Sequence, residues 1–243
     1  MPFVDLGRLA LQLERALLPP ACLLCDEAIP MSEGDALVCA LCRSRWRPVP
    51  APVCVRCGAP SPPEGPCRDC ESWPPEFGCV RSAVWLDESA RRAVHLLKYD
   101  GWWRVADAMA SPMRTLDPVA EKATLIPVPL GPRRRVQRGY NQAEQLAEAL
   151  GRVSGYPVAG DVLVRTRETA TQTALTPEAR SANVSGAFAA RHEVAGRVVV
   201  VDDVFTTGAT IIAAATALLT AGACQVDAVT FARARPPGAA LVP

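Results

Sequence analysis

Eight cysteines fall into four C-x-x-C pairs, Cys22/Cys25, Cys39/Cys42, Cys54/Cys57 and Cys67/Cys70, in a chain of 243 residues. A C-x-x-C turn aims two thiolates at one point, and two such turns complete a tetrahedral metal site, most often for zinc. Thirteen residues separate the first two pairs and nine the last two, gaps that a short hairpin spans. Between the two sets runs Arg47-Pro-Val-Pro-Ala-Pro-Val53, whose three prolines make a stiff spacer. The spacing therefore predicts sequential pairing into two structural Zn2+ sites, with interleaved pairing as the alternative. A disulfide framework needs an oxidising compartment, and a thioredoxin-like redox site uses a single C-x-x-C. An iron–sulfur cluster also takes four thiolates, and spacing leaves it open. Residues 20–75 hold few large apolar side chains, so metal is expected to supply their folding energy, on the order of 10 kcal/mol per site. Cys79 and Cys224 are expected to be buried free thiols.

The second chemical signal is Val198-Val-Val-Val-Asp-Asp-Val-Phe-Thr-Thr-Gly-Ala-Thr-Ile211. Four consecutive valines suit a strand buried on both faces. Two carboxylates, Asp202 and Asp203, emerge at its tip. The Thr-Thr-Gly-Ala-Thr turn then opens a helix, where amides and hydroxyls can wrap a phosphate at the positive helix end. No lysine follows the turn, which excludes a nucleoside-triphosphate P-loop. A diol would accept two carboxylates beside such a cradle, so a sugar phosphate fits.

This segment closely resembles the motif by which type I phosphoribosyltransferases bind 5-phosphoribosyl pyrophosphate (PRPP). The resemblance implies that Asp202 and Asp203 are the catalytic acidic pair on the ribose hydroxyls. It implies that Thr206, Thr207, Gly208, Ala209 and Thr210 hold the 5-phosphate, with Mg2+ accompanying PRPP. Further blocks are similar to the ComF family: Pro127-Val-Pro-Leu130, Arg133-Arg-Arg135, Arg138-Gly-Tyr-Asn-Gln142, and Arg165 followed by Thr169, Gln172, Leu175, Arg180, Asn183 and Phe188. Leu97-Lys98-Tyr99 and the cysteines match as well. That family resemblance covers nearly the whole chain. It implies a competence protein acting in DNA uptake during natural transformation, partnered by DNA-uptake machinery.

Residues 131–138 hold four arginines, Arg133, Arg134, Arg135 and Arg138, and no acid. Guanidinium forks match phosphate oxygens bidentately, so this turn is the expected pyrophosphate site; a solvated basic turn would look the same. The polar stretch 167–186 resembles the flexible loop that closes over PRPP and excludes water.

These residues need positioning elements, and the grammar from about residue 80 supplies them. Strands are expected at 80–86, 124–128, 158–164, 197–201 and 225–232. Helices are expected at 89–98, 102–116, 140–153 and 210–221. Such alternation implies an α/β fold, a type I phosphoribosyltransferase-like parallel sheet, behind an N-terminal double zinc ribbon. The expected organisation is a helix over 1–18, the ribbons over 19–75 and the larger domain over 80–235. The first 80 residues carry a net charge of −3 and the rest +4, so an anion-binding surface belongs to the second part. Leu6, Leu9, Leu13 and Leu17 recur at helical spacing. Charges among them leave no apolar signal core, and no run is long and pure enough to span a membrane, so a cytoplasmic location is expected. Little chain follows the last strand from which to build a hood over a second substrate.

Two classes of function stay open at this point. One is an enzyme that displaces Mg-pyrophosphate from PRPP, including a phosphoribosyltransferase of nucleotide metabolism. The other is a protein that handles single-stranded DNA without transferase activity, with Trp102 or Trp103 as stacking groups.

Overall fold

The computed structural model describes residues 19–60, 67, 69–120, 123–167 and 186–235. The helix expected over 1–18 and nearly all of the loop expected over 167–186 lie outside the described residues.

In chain order the elements are α1 (Ala40–Ser44), β1 (Phe77–Trp85), α2 (Glu88–Tyr99), α3 (Val105–Met113), α4 (Asp117–Ala120), β2 (Thr124–Pro127), α5 (Pro132–Arg138), α6 (Gln142–Ser154), β3 (Leu163–Arg165), β4 (Phe188–Ala190), β5 (Arg197–Phe205), α7 (Ala209–Thr220) and β6 (Gln225–Arg233). A 3-10 turn at Met31–Glu33 precedes α1. Four strands form one sheet in the order β1-β6-β5-β2, and every neighbouring pair is parallel. β3 and β4 pair apart from it, antiparallel.

The valine run sits in the middle of this sheet. Val199 and Val201 pack into one core with α2, α3 and α6, while Val198 and Val200 pack into the other with α7. All four are essentially inaccessible, as a strand covered on both faces requires. Asp87 caps α2 by accepting from the Ala90 amide at 3.0 Å. Asn141 caps α6, and its side-chain amide also donates to the Val128 carbonyl at 3.0 Å, tying the start of α6 to the end of β2.

The cysteine-bearing segment does not stand apart from the sheet. Ile29, Val38 and Trp46 join the first core, where the Trp46 ring meets Phe231 edge-on at 4.9 Å. Trp73 joins the second core against Phe77 and Phe205. The segment also covers the exposed edge of β1: the Val80 amide donates to the Arg56 carbonyl and the Trp85 amide to the Arg47 carbonyl, each at 2.8 Å. An uncovered edge strand is a template for unwanted pairing, and this contact removes it.

Several expectations shift. The turn at 131–138 is helix α5, which starts at Pro132 and stops at Gly139 with φ of 81°. Proline in the first turn and glycine past the end are what a short helix needs. The helix expected from Trp102 starts only at Val105; Trp102 and Trp103 lie in the preceding turn and are 44% and 46% exposed. The strand expected at 158–164 is split, with a single bridge from Val158 to Leu125 and then β3 paired to β4. Cys224 is exposed and Cys79 only half-buried, so neither is the buried thiol expected. Among the described residues no helix is long and apolar enough to cross a membrane.

Candidate functional site

The cysteines gather as two separate sets, Cys22, Cys25, Cys39 and Cys42, and Cys54, Cys57, Cys67 and Cys70. This is the sequential pairing. Within each set the sulfurs lie within 4.8 Å of one another. Cys25 and Cys39 are 3.9 Å apart, Cys54 and Cys70 3.8 Å, and Cys57 and Cys67 3.6 Å. A tetrahedron with Zn–S bonds of ~2.3 Å has sulfur–sulfur edges of about 3.8 Å. The spacing therefore fits one ion per set, and a cluster of several irons would hold its ligands farther apart.

Local amides favour thiolates. The Cys39 and Leu24 amides point at Cys22 Sγ from 3.3 and 3.4 Å. Burial raises the Cys22 thiol, but these backbone donors outweigh it and bring it down to about 7. Cys54 is likewise raised by burial and lowered further, to about 7, by the Cys57 and Arg56 amides. Burial and neighbouring sulfurs push Cys42 and Cys57 up, and Cys70 up to about 11. Four thiolates so close repel one another, and a divalent cation at their centre is what lets all four ionise.

The second site is at the carboxyl end of the sheet. The strand expected to end at 201 runs on to Phe205, so Asp202 and Asp203 lie within β5 near its carboxyl end, 9% and 3% exposed. The Asp203 amide donates to Asp202 Oδ1 at 2.9 Å. Lys98, from the last turn of α2, forms an ion pair with Asp203 Oδ2. Burial and the adjacent Asp203 charge raise the Asp202 carboxyl well above its usual range. Burial would raise Asp203 too, but the Lys98 ammonium overrides it and holds that carboxyl below the ordinary value. Buried, perturbed acids with a specific charge partner mark this end of the sheet as a candidate site. Lys98 is the member that sequence reasoning gave no role: nothing local to residue 98 announces a contact with residue 203.

Val204 and Phe205 complete β5, and the chain then turns through Thr206, Thr207 and Gly208 into α7, with Ala209 and Thr210 in its first turn. Thr207 Oγ1 is shielded from solvent and has no hydrogen-bond partner among the described residues. Gly208 has φ of 81°, and a Cβ there would lie 3.0 Å from Trp73 Cζ2 and 3.1 Å from Phe205 Cε2. Glycine is thus required twice, for the left-handed backbone and for the aromatic floor. Helix α7 then presents its unpaired amides and positive end at the turn.

The arginines reach the same end of the sheet. Pro127 is in register with Val201, and the Val128 amide donates to the Val201 carbonyl at 3.0 Å, one residue before Asp202. Helix α5 follows directly. Arg135 pairs with Glu144 at 3.4 Å, and Arg138 bonds Gln142 at 2.5 Å while lying 5.2 Å over the Tyr99 ring. Arg133 is exposed and Arg134 half-buried.

A parallel sheet with an acidic pair and phosphate-type turn at one strand tip, fronted by two four-cysteine ribbons, defines a phosphoribosyltransferase-type α/β protein with a double zinc ribbon. The comparisons agree. Residues 13–71 match the family described as double zinc ribbon domain, and residues 136–240 that described as phosphoribosyl transferase domain. The chain is 32% identical over 219 residues to DNA utilization protein YhgH of Escherichia coli (strain K12), covering 86% of this chain and 95% of that one. It is 30% identical over 234 residues to competence protein ComFC of Bacillus subtilis (strain 168), covering 87% and 94%. Competence protein F of Haemophilus influenzae is 33% identical over 135 residues, 54% of each chain. The chain belongs to the ComF family.

Proposed function

We propose that this protein binds PRPP, or a closely related ribose phosphate, at the β5 tip and acts in DNA uptake, as the names of its competence relatives imply. The observation that carries the reading is the buried Asp202–Asp203 pair near a phosphate-type turn whose Thr207 hydroxyl has no hydrogen-bond partner among the described residues. In this reading Thr206–Thr210 hold the 5-phosphate through amides and hydroxyls. Asp202 and Asp203 accept from the ribose hydroxyls, and Arg133, Arg134, Arg135 and Arg138 face the pyrophosphate with its Mg2+. The zinc ions hold the ribbons folded against the sheet. A reducing cytoplasm suits eight cysteines kept as metal ligands.

A second reading has a specific observation in its favour. Tyr99, Trp102 and Trp103 are exposed within one short stretch of sequence, and Arg138 of the arginine helix lies over the Tyr99 ring. Exposed aromatics beside guanidinium groups are what single-stranded DNA uses, bases stacking and phosphates pairing. Calorimetric titration with Mg-PRPP and with a single-stranded oligonucleotide, alone and in competition, tests both readings. Saturable PRPP binding that the oligonucleotide displaces supports one shared surface. No heat with PRPP and tight DNA binding would replace the first reading by the second.

A further inference from the structure

Lys98 reaches the acidic pair from outside the phosphate motif. It stands in the last turn of α2, its side chain is 21% exposed, and its ammonium is paired with Asp203, 4% exposed. Asp202 lies one residue away, also buried, with its Oδ1 engaged by the Asp203 amide. A buried ion pair is a weak device for stability, because removing two charges from water offsets most of their attraction. A pair of carboxylates beneath the sugar of a polyanion is worse: left alone it repels the ligand. Binding sites commonly answer that repulsion with a hard divalent ion on the carboxylates. Here a lysine already stands on one of them.

We propose that Lys98 is the built-in cation of the ribose site: held on Asp203, it offsets the charge of the acidic pair, so a ribose phosphate docks there without a divalent ion at the carboxylates. The inference rests on the ribose-phosphate reading above. It gives Mg2+ one place, with the pyrophosphate, and none beneath the sugar. An ammonium carries three donors. One serves Asp203, which leaves donors for a ribose hydroxyl or an anionic oxygen of the ligand. Lys98 is thus a binding residue contributed by α2, the helix that ends at the exposed Tyr99.

Ribose 5-phosphate isolates the question, because it has the sugar and the 5-phosphate but no pyrophosphate to carry Mg2+. It is titrated into wild type, Lys98→Gln and Lys98→Arg in resin-treated Mg2+-free buffer, without chelator so that the ribbons keep their metal, and again with Mg2+. Gln retains an N–H for Asp203 without the charge. Wild type should bind equally in both buffers, and Lys98→Arg should follow it. Lys98→Gln should lose roughly ten- to a hundredfold without Mg2+ and regain much of it when Mg2+ is added. A wild type that needs Mg2+ for ribose 5-phosphate overturns the inference, whatever the variants do. So does a Lys98→Gln protein that binds normally without Mg2+, or whose loss Mg2+ does not repair. A wild type that binds PRPP but not ribose 5-phosphate also overturns it. One that binds neither ligand in either buffer overturns the ribose-phosphate reading and this inference together.

Discussion

Arg233 joins the second cysteine set to the phosphate turn. From the end of β6 its Nη1 donates to the Cys57 carbonyl at 2.7 Å, while its guanidinium lies 4.4 Å from the Phe205 ring centroid. Phe205 in turn floors Gly208. Metal ligand, guanidinium, aromatic ring and phosphate turn form one packed series. Arg233→Met should therefore cost about 2 kcal/mol, the usual consequence of losing a buried charged hydrogen bond. It should also weaken PRPP binding although it touches no ligand. Denaturant unfolding and a PRPP titration on the same sample check both; an effect on stability alone would leave the ribbon and the turn uncoupled.

Metal removal should reach beyond the ribbons. Two zinc ions per chain are expected from the two cysteine sets. Stripping them should free the Val80 and Trp85 amides, whose partners are the Arg56 and Arg47 carbonyls. Hydrogen exchange should then accelerate along β1 as well as through 20–60. Protection of β1 that survives chelation would mean that the sheet edge holds without the ribbons.

Gly208→Ala should fail on two counts. The residue sits at φ of 81°, and the new Cβ would press on Trp73 at 3.0 Å. A left-handed alanine alone costs about 1–2 kcal/mol. A lower Tm together with weakened phosphate binding is expected, and a protein with unchanged Tm and affinity would contradict the turn geometry.

Asp202→Asn should stabilise the unliganded protein while weakening ligand binding. The folded carboxyl has its pKa raised, by burial first and then by the Asp203 charge. Such a group favours folding below its unfolded pKa, and that contribution is lost as pH rises through the folded value. At neutral pH the charged form is therefore a burden that Asn removes. Thermal melts should show a higher Tm for the variant near pH 7, with the advantage vanishing in acid. A lower Tm at neutral pH would mean that the Asp202 charge is stabilising.

What the sequence made legible was local. The C-x-x-C turns could be read because each ligand pair is built within four residues, and the proline spacer between them pointed to sequential pairing. Four valines ending in two aspartates could be read because one strand buried on both faces needs no partner to be recognised. The α5 helix was missed although Pro132 and Gly139 mark its ends, since its arginines read equally well as a solvated turn. The β3–β4 pair was missed because its partners lie on either side of a long polar stretch. The Lys98–Asp203 contact, the Arg233–Cys57 bond and the burial of Trp46 and Trp73 in opposite cores are all long-range. They are fixed by how α2 and the ribbons pack on the sheet, which no short pattern encodes.

The central claim is that the acidic pair at the β5 tip binds the ribose of PRPP, and calorimetry on Asp202→Asn/Asp203→Asn tests it most directly. Each carboxylate is expected to accept a hydrogen bond worth roughly 1.5–3 kcal/mol. Wild type should show saturable binding of Mg-PRPP at one site per chain, and the double variant, still folded by its cooperative melt and with its zinc content intact, should show none. Equal affinity in a folded double variant would contradict the account.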